Sequence, residues 1–172
     1  MRIIFLDIDG VLNNRYTKER SNRGFIGIDP AKVRLLKEMQ ETSGAVIVLT
    51  STWRDDWESV YEKCGPEGKY LTDRLADGGV QVHDKIPGFS GLHRGAEIRR
   101  YAKESGCRSF IVLDDEQFPD FTLNGIRDHG LRINWIHTRL DAENGGLQPE
   151  HVPMVLKLFE QQEENQNSSG NH

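Results

Sequence analysis

Phe5-Leu6-Asp7-Ile8-Asp9-Gly10-Val11-Leu12 is the stretch that decides the fold. It continues the run Arg2–Ile8, which is almost wholly apolar before it reaches acid and is typical of a strand buried on both faces of a parallel sheet. Residues two apart in an extended chain point the same way, so Asp7 and Asp9 can both face an incoming group. Gly10 then allows the backbone to turn sharply and to approach a ligand closely. The stretch therefore predicts two carboxylates directed at one site.

The rest of the chain alternates apolar strands with amphipathic helices. The predicted elements are a helix opened by Asp29-Pro30 and stopped at Gly44, a strand at Ala45–Leu49, helical spacing of Trp57, Val60 and Tyr61 broken by Gly65-Pro66, a helix at Arg94–Glu104, a strand at Phe110–Leu113, a strand at Leu131–Ile136 and a helix opened by Pro149. Between Gly65 and Gly91 we predict mainly loop, with a weak strand signal around Val80 to Val82. This order predicts an α/β fold, a single-domain, doubly wound, Rossmann-like parallel sheet with helices on both faces.

Length and composition predict one soluble domain. At 172 residues, 36% hydrophobic and 28% charged, the chain suits a single core, which we assign to residues 1–160, with a disordered polar tail at 161–172. No apolar run is long enough for a bilayer and the N-terminus resembles a strand, so we expect no membrane association and a cytoplasmic location. Cys64 and Cys107 lack CxxC spacing, which argues against a zinc site or a disulfide framework.

The net charge of −5 argues against a broad basic surface for duplex nucleic acid, although a nucleic-acid end remains a possible partner. The local basic cluster within Arg94–Lys103 is more typical of a solvated helix face.

Polar residues follow three of the predicted strands where each strand ends. They are Asp7 and Asp9, then Thr50 and Ser51, then Asp114 and Asp115. The carboxyl ends of parallel strands meet at one edge of the sheet, where four carboxylates would raise each other's pKa values unless a hard cation kept them ionised. Mg²⁺ is the predicted cofactor because it prefers oxygen ligands and commonly combines carboxylates, water and a substrate phosphate.

These motifs resemble the haloacid dehalogenase (HAD) superfamily, and all four of its motifs occur in the right order over residues 1 to about 120. The resemblance implies an HAD-type fold in which Asp7 is the nucleophile, forming an aspartyl-phosphate, and also a metal ligand. It implies that Asp9 acts as acid and then base and binds the metal through its main-chain carbonyl. One of Asp114 and Asp115 would bind Mg²⁺ directly, with the choice left open.

Two further assignments follow from the resemblance. A hydroxyl after the second strand would bind the phosphoryl group, and we prefer Ser51 to Thr50 because Ser51 stands two residues before Trp53. The catalytic cation would be Arg94, with Lys85 as the alternative, or Arg94 could be a surface residue. The predicted substrate-binding residues are Gly10, Ser51, Thr52 and Arg94.

Within the superfamily, the stretches FLDIDGVL, STWR, RGAEI and VLDDE look most like small bacterial and phage domains, including the phosphatase-like module of Swiss Army Knife RNA repair proteins. The short intervals between motifs predict no full cap domain. We therefore expect a Mg²⁺-dependent phosphomonoester hydrolase whose open site suits bulky substrates such as nucleic-acid ends or nucleotides, of unknown oligomeric state. The alternatives are a phosphate-accepting receiver-like signalling domain and a catalytically silent binding module, whereas a dehalogenase is disfavoured because that branch lacks the second aspartate.

Three residues near these motifs are predicted to be structural. Trp53 and Trp57 are expected in the core or in helix packing and not in a base-stacking platform. Asp120 is expected to be an ordinary loop aspartate after Pro119, with an acid that supports the site as the alternative.

Overall fold

A computed structural model describes residues 1–88, 94–121 and 134–169 of the chain. Its five strands form one parallel sheet in the order β3-β2-β1-β4-β5. The strands are β1 (Arg2–Leu6), β2 (Val46–Leu49), β3 (Val82–Lys85), β4 (Ser109–Asp114) and β5 (Trp135–His137). The helices are α1 (Pro30–Ser43), α2 (Pro66–Asp77), α3 (Arg94–Glu104) and α4 (His151–Ser169). The predicted α/β fold with a parallel, Rossmann-like sheet is confirmed.

Both faces of the sheet are covered, and the central strand β1 contributes to both. Along β1, Ile4 and Leu6 belong to one core cluster with α1, α2 and α4. The intervening Ile3 and Phe5 belong to a second cluster with α3. Successive side chains of a strand point to opposite faces, so an uninterrupted apolar run is what a strand between two helical layers requires.

Helix α1 begins and ends where the sequence predicts. The Asp29 side chain accepts a hydrogen bond of 2.8 Å from the Ala31 N–H, which satisfies one of the unpaired donors at the helix start. At the other end Gly44 adopts φ 65°, a left-handed conformation that glycine enters without steric cost.

The segment predicted as mainly loop between Gly65 and Gly91 contains a helix, and the weak strand signal around Val80 to Val82 lies where β3 begins. Gly65-Pro66 begins α2, with proline in the first turn where its missing N–H costs nothing. Leu71 and Leu75 are buried one turn apart. Gly68 lies so close to the preceding chain that a Cβ would come within 2.0 Å of the Asp56 carbonyl oxygen. This close tertiary contact explains why a glycine, which usually weakens a helix, stands inside this one.

The helical spacing predicted around Trp57 is wrong. The chain there forms two short 3₁₀ turns, Thr52–Asp55 and Tyr61–Lys63, separated by irregular backbone. Only Trp57 is buried, whereas Val60 and Tyr61 are 45% and 42% exposed. An i, i+3, i+4 pattern of apolar residues therefore does not correspond to a buried face here.

Helix α4 continues to Ser169, so the disordered tail predicted from Gln161 is wrong for residues 161–169, while residues 170–172 lie outside the described part. The Glu163 carboxylate pairs with Arg2 at 2.8 Å and accepts a hydrogen bond of 3.0 Å from the Ser109 hydroxyl. These contacts tie a polar helix end to the first residues of β1 and β4. The predicted strand at Leu131–Ile136 corresponds to β5, although residues 131–133 also lie outside the described part.

Neither interval between the motifs forms a separate cap domain within the described residues. Helix α2 and strand β3 occupy much of the second interval and belong to the main fold. The first interval is the connection between β1 and α1, which contains one antiparallel bridge between Arg20 and Ile26. No helix in these same ranges is both long enough and apolar enough to cross a membrane.

Candidate active site

Three carboxylates meet at the carboxyl edge of the sheet. Asp7 directly follows β1 and Asp114 ends β4, and the Asp7 N–H donates a hydrogen bond of 2.9 Å to the Leu113 carbonyl. Asp7, Asp114 and Asp115 each contribute an oxygen such that all three oxygens lie within 4.8 Å of one another. The convergence predicted from the strand ends is therefore present, and it produces a set of oxygen donors that could hold one metal ion.

Arg94 brings a positive charge into this cluster. Its Nη1 lies 2.6 Å from Asp114 Oδ2 and 3.3 Å from Asp7 Oδ1, and its guanidinium lies 4.2 Å from the centre of the Phe118 ring. The residue is only 4% exposed, so it does not belong to a solvated helix face. The alternative cation, Lys85, instead bonds to the carbonyls of Arg54 and Trp57 at 3.0 and 2.6 Å.

Asp120 holds the start of the helix that carries Arg94. Its Oδ2 accepts a hydrogen bond of 3.0 Å from the Ala96 N–H, in the first turn of α3. The fit is close, because a Cβ on Gly95 would lie 2.8 Å from the same oxygen. Asp120 is buried. The prediction that it is an ordinary loop aspartate is therefore wrong, since it caps α3.

Burial and crowding disfavour ionisation of the three carboxylates. Burial, followed by the nearby Asp114 charge, raises the pKa of Asp7 well above its ordinary range, and Arg94 offsets only part of that effect. Burial also raises the pKa of Asp114, against the opposing effect of Arg94. Burial and the Asp114 charge raise the pKa of Asp115 to about 6. One guanidinium is thus too little positive charge for three ionised carboxylates, and a divalent cation fits the remaining deficit.

Asp9 lies beside this cluster, and its carboxylate is held by two other side chains. The Trp53 indole Nε1–H donates to Asp9 Oδ2 at 3.0 Å, and the Asn13 amide donates to Asp9 Oδ1 at 2.9 Å. Asn13 Oδ1 in turn accepts a hydrogen bond of 2.9 Å from the Gly10 N–H. Neither partner is predicted from the sequence, where Trp53 is expected in packing alone. The available signal for Asn13 is a polar residue four positions beyond Asp9.

Gly10 provides space for one of the three carboxylates. Its φ is +70°, and a Cβ at this position would lie 2.3 Å from both Cγ and Oδ2 of Asp115. The close approach predicted for Gly10 is thus an approach to Asp115, while its N–H is already donated to Asn13. Glycine is the residue that both the left-handed backbone and this contact require.

A family model described as the HAD domain in Swiss Army Knife RNA repair proteins matches residues 3–152. The chain belongs to this family. The matched range runs from β1 to the start of α4 and includes every residue of the site described above. No curated protein and no solved structure gives a significant match to the chain.

Two buried hydroxyls follow β2 in this HAD domain. The Thr50 N–H donates to the Leu6 carbonyl at 2.9 Å, which fixes the end of β2 beside the end of β1. Ser51 Oγ accepts a hydrogen bond of 3.4 Å from the Trp53 N–H, so its own proton remains to be donated. Thr50 Oγ1 has no partner among the described residues. Thr52, the third hydroxyl of this segment, is exposed.

Proposed function

We propose that this HAD domain is a Mg²⁺-dependent phosphatase that hydrolyses phosphate monoesters through an aspartyl-phosphate on Asp7. The observation that carries the proposal is the meeting of Asp7, Asp114 and Asp115 around Arg94 at the carboxyl edge of the sheet. HAD domains are in general hydrolases, so the family agrees with this use of the site.

The donor set fits Mg²⁺, because the three carboxylates offer oxygen atoms of the kind that this ion prefers. Asp114 already engages both of its oxygens, one with Arg94 and the other with the Glu116 N–H. We therefore assign Asp115 and Asp7 as the direct carboxylate ligands, with Asp114 orienting Arg94. The bound ion would neutralise negative charge on the transferring phosphoryl group and on the attacking carboxylate.

Two steps complete the reaction. An Asp7 oxygen attacks phosphorus, the ester P–O bond breaks, and the Asp9 carboxyl group gives its proton to the departing oxygen. Asp9, now a carboxylate, takes a proton from a water molecule whose oxygen attacks the same phosphorus, which releases phosphate and restores Asp7. The hydrogen bonds from Trp53 and Asn13 keep the Asp9 carboxyl group in place for both proton transfers.

Repulsion between Asp7 and the substrate is the main barrier that the site must lower. Two unit charges about 4 Å apart repel each other by about 4 kcal/mol at an effective dielectric near 20. Arg94 contacts Asp7 directly and is buried, so its attraction is little screened by solvent. We propose that Arg94 also contacts the phosphoryl oxygens and that the Ser51 hydroxyl donates to one of them, with Thr50 as the alternative donor.

The substrate proposed here is a bulky phosphate monoester, such as a nucleotide or a phosphorylated nucleic-acid end. The absence of a separate cap domain within the described residues supports an open site, and the family description places related domains in RNA repair proteins. A cytoplasmic location belongs to the same proposal.

The strand order argues against the receiver-like alternative. Receiver domains of the flavodoxin-like type have strand order 2-1-3-4-5, whereas the order here is β3-β2-β1-β4-β5. The proposed nucleophile of this chain also follows the first strand, and the acidic pair stands at the end of β4. A catalytically silent binding module is distinguished from a phosphatase by the hydrolysis assay that follows.

The test is hydrolysis of p-nitrophenyl phosphate with Mg²⁺. We expect turnover in the wild type, its suppression by EDTA and its loss in Asp7→Asn, while the exposed-surface control Asp77→Asn retains it. In Asp9→Asn we expect slow turnover with phospho-enzyme visible as an added phosphate mass. Unchanged activity in Asp7→Asn would refute the nucleophile assignment, and a wild type without activity on any phosphate monoester would support the silent module. Comparing Ser51→Ala with Thr50→Val identifies the phosphate-binding hydroxyl.

A further inference from the structure

A cavity of about 520 Å³ is lined by Asp9 but not by Asp7, Asp114 or Asp115. Asp9 forms part of its wall together with Phe25, Ile26, Trp53 and Leu140. The wall therefore combines the carboxyl group proposed to protonate the leaving oxygen with two aromatic and two aliphatic side chains.

We infer that this cavity is the leaving-group subsite of the phosphatase and that it takes the nucleobase of a nucleotide or of a nucleic-acid end. The inference rests on the proposed function and deepens it, because it names the part of the substrate that lies beyond the ester oxygen. It also assigns Phe25 as a specificity-determining residue.

Position is the first argument. Asp9 bonds to the Trp53 indole at 3.0 Å, and both residues line the cavity. An ester oxygen within hydrogen-bonding reach of Asp9 therefore has this cavity next to it, and the group attached to that oxygen must occupy it or leave toward solvent.

Phe25 is the second argument, because it is a large apolar side chain that is 59% exposed and yet held on a fixed turn. The Phe25 carbonyl accepts a hydrogen bond of 3.0 Å from the Ser21 N–H, and the Phe25 N–H donates to the Ser21 hydroxyl at 3.2 Å. The Arg23 N–H, within the same turn, donates to Glu67 on α2 at 2.9 Å. An aromatic face that is exposed and anchored in this way is suited to stacking on a flat ring, and every base has such a face.

Charge is the third argument, and it favours a neutral ring over a group with more phosphates. Asp9 and Glu67 are acidic groups of the wall, and the guanidinium of Arg23 already lies 3.5 Å from Asp56. Glu67 is 6% exposed and its Oε2 has no hydrogen-bond partner in the described part of the chain. The wall thus offers acceptors and little free positive charge, which matches the N–H groups on a base edge.

Size separates a nucleobase from a simple phenol. Ligand cavities commonly measure about 300–1,000 Å³, and this one lies well inside that range. A phosphotyrosine ring is joined directly to its ester oxygen, whereas a base is separated from the ester by its sugar and extends farther from Asp9 into the cavity.

The test compares kcat/KM of the wild type and Phe25→Ala on two groups of substrates with Mg²⁺. The first group contains nucleoside 3′- and 5′-monophosphates and oligonucleotides with one terminal phosphate, and the second contains O-phosphoserine and glycerol phosphate. Loss of one base–aromatic stack should lower kcat/KM on the first group by about 5- to 150-fold, mainly through KM. Values on the second group should not change. The better substrate of the two, a mononucleotide or an oligonucleotide end, identifies the natural source of the base.

Two further variants separate stacking from other effects. Phe25→Tyr keeps the ring and should retain nucleotide activity, whereas Phe25→Leu keeps an apolar side chain without it and should lose activity as Phe25→Ala does. Tyr16→Ala removes another exposed aromatic residue, 58% exposed, from the same connection and should behave as the wild type.

The inference is overturned if Phe25→Ala changes all substrates equally, if the wild type does not prefer nucleotides to O-phosphoserine, or if O-phosphotyrosine shows the larger dependence on Phe25. These results differ from failure of the proposed function itself, which would appear as no Mg²⁺-dependent turnover of any substrate by the wild type.

Discussion

Replacing Gly10 by alanine is the sharpest test of how the three-carboxylate cluster is built. The substitution adds a single methyl group on the backbone that links Asp9 to the following turn. That methyl carbon would lie 2.3 Å from Cγ and Oδ2 of Asp115, and the backbone at Gly10 has φ +70°. The change therefore acts on the conformation of the chain and on the position of one proposed metal ligand.

The two effects have different magnitudes and different readouts. A left-handed backbone costs a residue with a Cβ roughly 1–2 kcal/mol, which lowers the free energy of unfolding. Ordinary contact begins at 3.4 Å, so the Asp115 carboxylate must retreat by at least 3.4 − 2.3 = 1.1 Å. Misplacement by about 1 Å can cost about 100-fold in rate. We expect kcat to fall by about that factor and the Mg²⁺ concentration for half-maximal activity to rise.

Gly44→Ala provides the matched control. Gly44 has φ +65°, and a Cβ there meets nothing within 4 Å. Both variants should lose the backbone cost of roughly 1–2 kcal/mol in urea unfolding monitored by circular dichroism, but only Gly10→Ala should lose activity and Mg²⁺ affinity. Wild-type Mg²⁺ dependence in Gly10→Ala, or an equal loss of activity in Gly44→Ala, would refute the view that Gly10 makes room for Asp115.

Four other outcomes can be checked. Trp53→Phe removes the indole donor to Asp9 but keeps a ring, so kcat should fall about 10-fold or more on nucleotides and on O-phosphoserine alike, as expected for a hydrogen bond to a charged group. An unchanged kcat would mean that Asp9 needs no such support. Arg94→Ala leaves buried carboxylates unpaired, so the free energy of unfolding in EDTA should fall by about 3–5 kcal/mol and recover in part with Mg²⁺, as a thermal melt would show. A small effect in EDTA would contradict the buried pairing. In EDTA the pKa of Asp115 is raised to about 6 from an ordinary 3.8, so the folded state binds more protons than the unfolded state. The contribution of Asp115 to stability is therefore present below about pH 4 and is lost as the pH rises through about 6. The loss is at most about 3 kcal/mol, is reduced because the group is partly exposed, and should be absent from Asp115→Asn. Glu163→Gln should lower the free energy of unfolding by about 1 kcal/mol or less and speed amide hydrogen exchange beyond residue 160. Amides in residues 161–169 that exchange without protection in the wild type would contradict the long helix α4.

The sheet and the positions of the acidic residues could be predicted because both depend on local pattern. An apolar run that ends in acid specifies a buried strand and the polar residue after it at the same time. In parallel strands those end residues must meet, so Asp7 and Asp114 could be brought together without any knowledge of distances.

The choice between Arg94 and Lys85 depends on contacts that local pattern does not contain. Both residues lie near the third motif in sequence. Lys85 ends β3, at the edge of the sheet, and bonds to the carbonyls of Arg54 and Trp57, whereas Arg94 starts a helix whose first turn is capped by Asp120. The strand order, which the sequence pattern leaves open, decides which cation faces the cluster.

Helix α2 and the end of α4 were mispredicted for a related reason. In α2 the apolar stripe is short, and Gly68 would ordinarily argue against a helix, but its contact with Asp56 requires it. In α4 the residues after position 160 have almost no apolar character, and Glu163 is held by Arg2 and Ser109 from strands far away in sequence. Polar segments that are ordered by distant partners have no local signature.

The charge balance of the cluster couples its ionisation to the proposed binding of Mg²⁺. With Asp7, Asp114 and Asp115 ionised and Arg94 protonated, the formal charge is −3 + 1 = −2. One divalent cation cancels this charge. A monovalent cation leaves a charge of −1 in a buried site, and this charge favours binding of a proton by Asp7. An attacking carboxylate has to be unprotonated, so Na⁺ or K⁺ at any concentration should fail to replace Mg²⁺ in catalysis even where it restores part of the stability. The same balance requires Mg²⁺ affinity to increase with pH, since protons on these carboxylates compete with the ion.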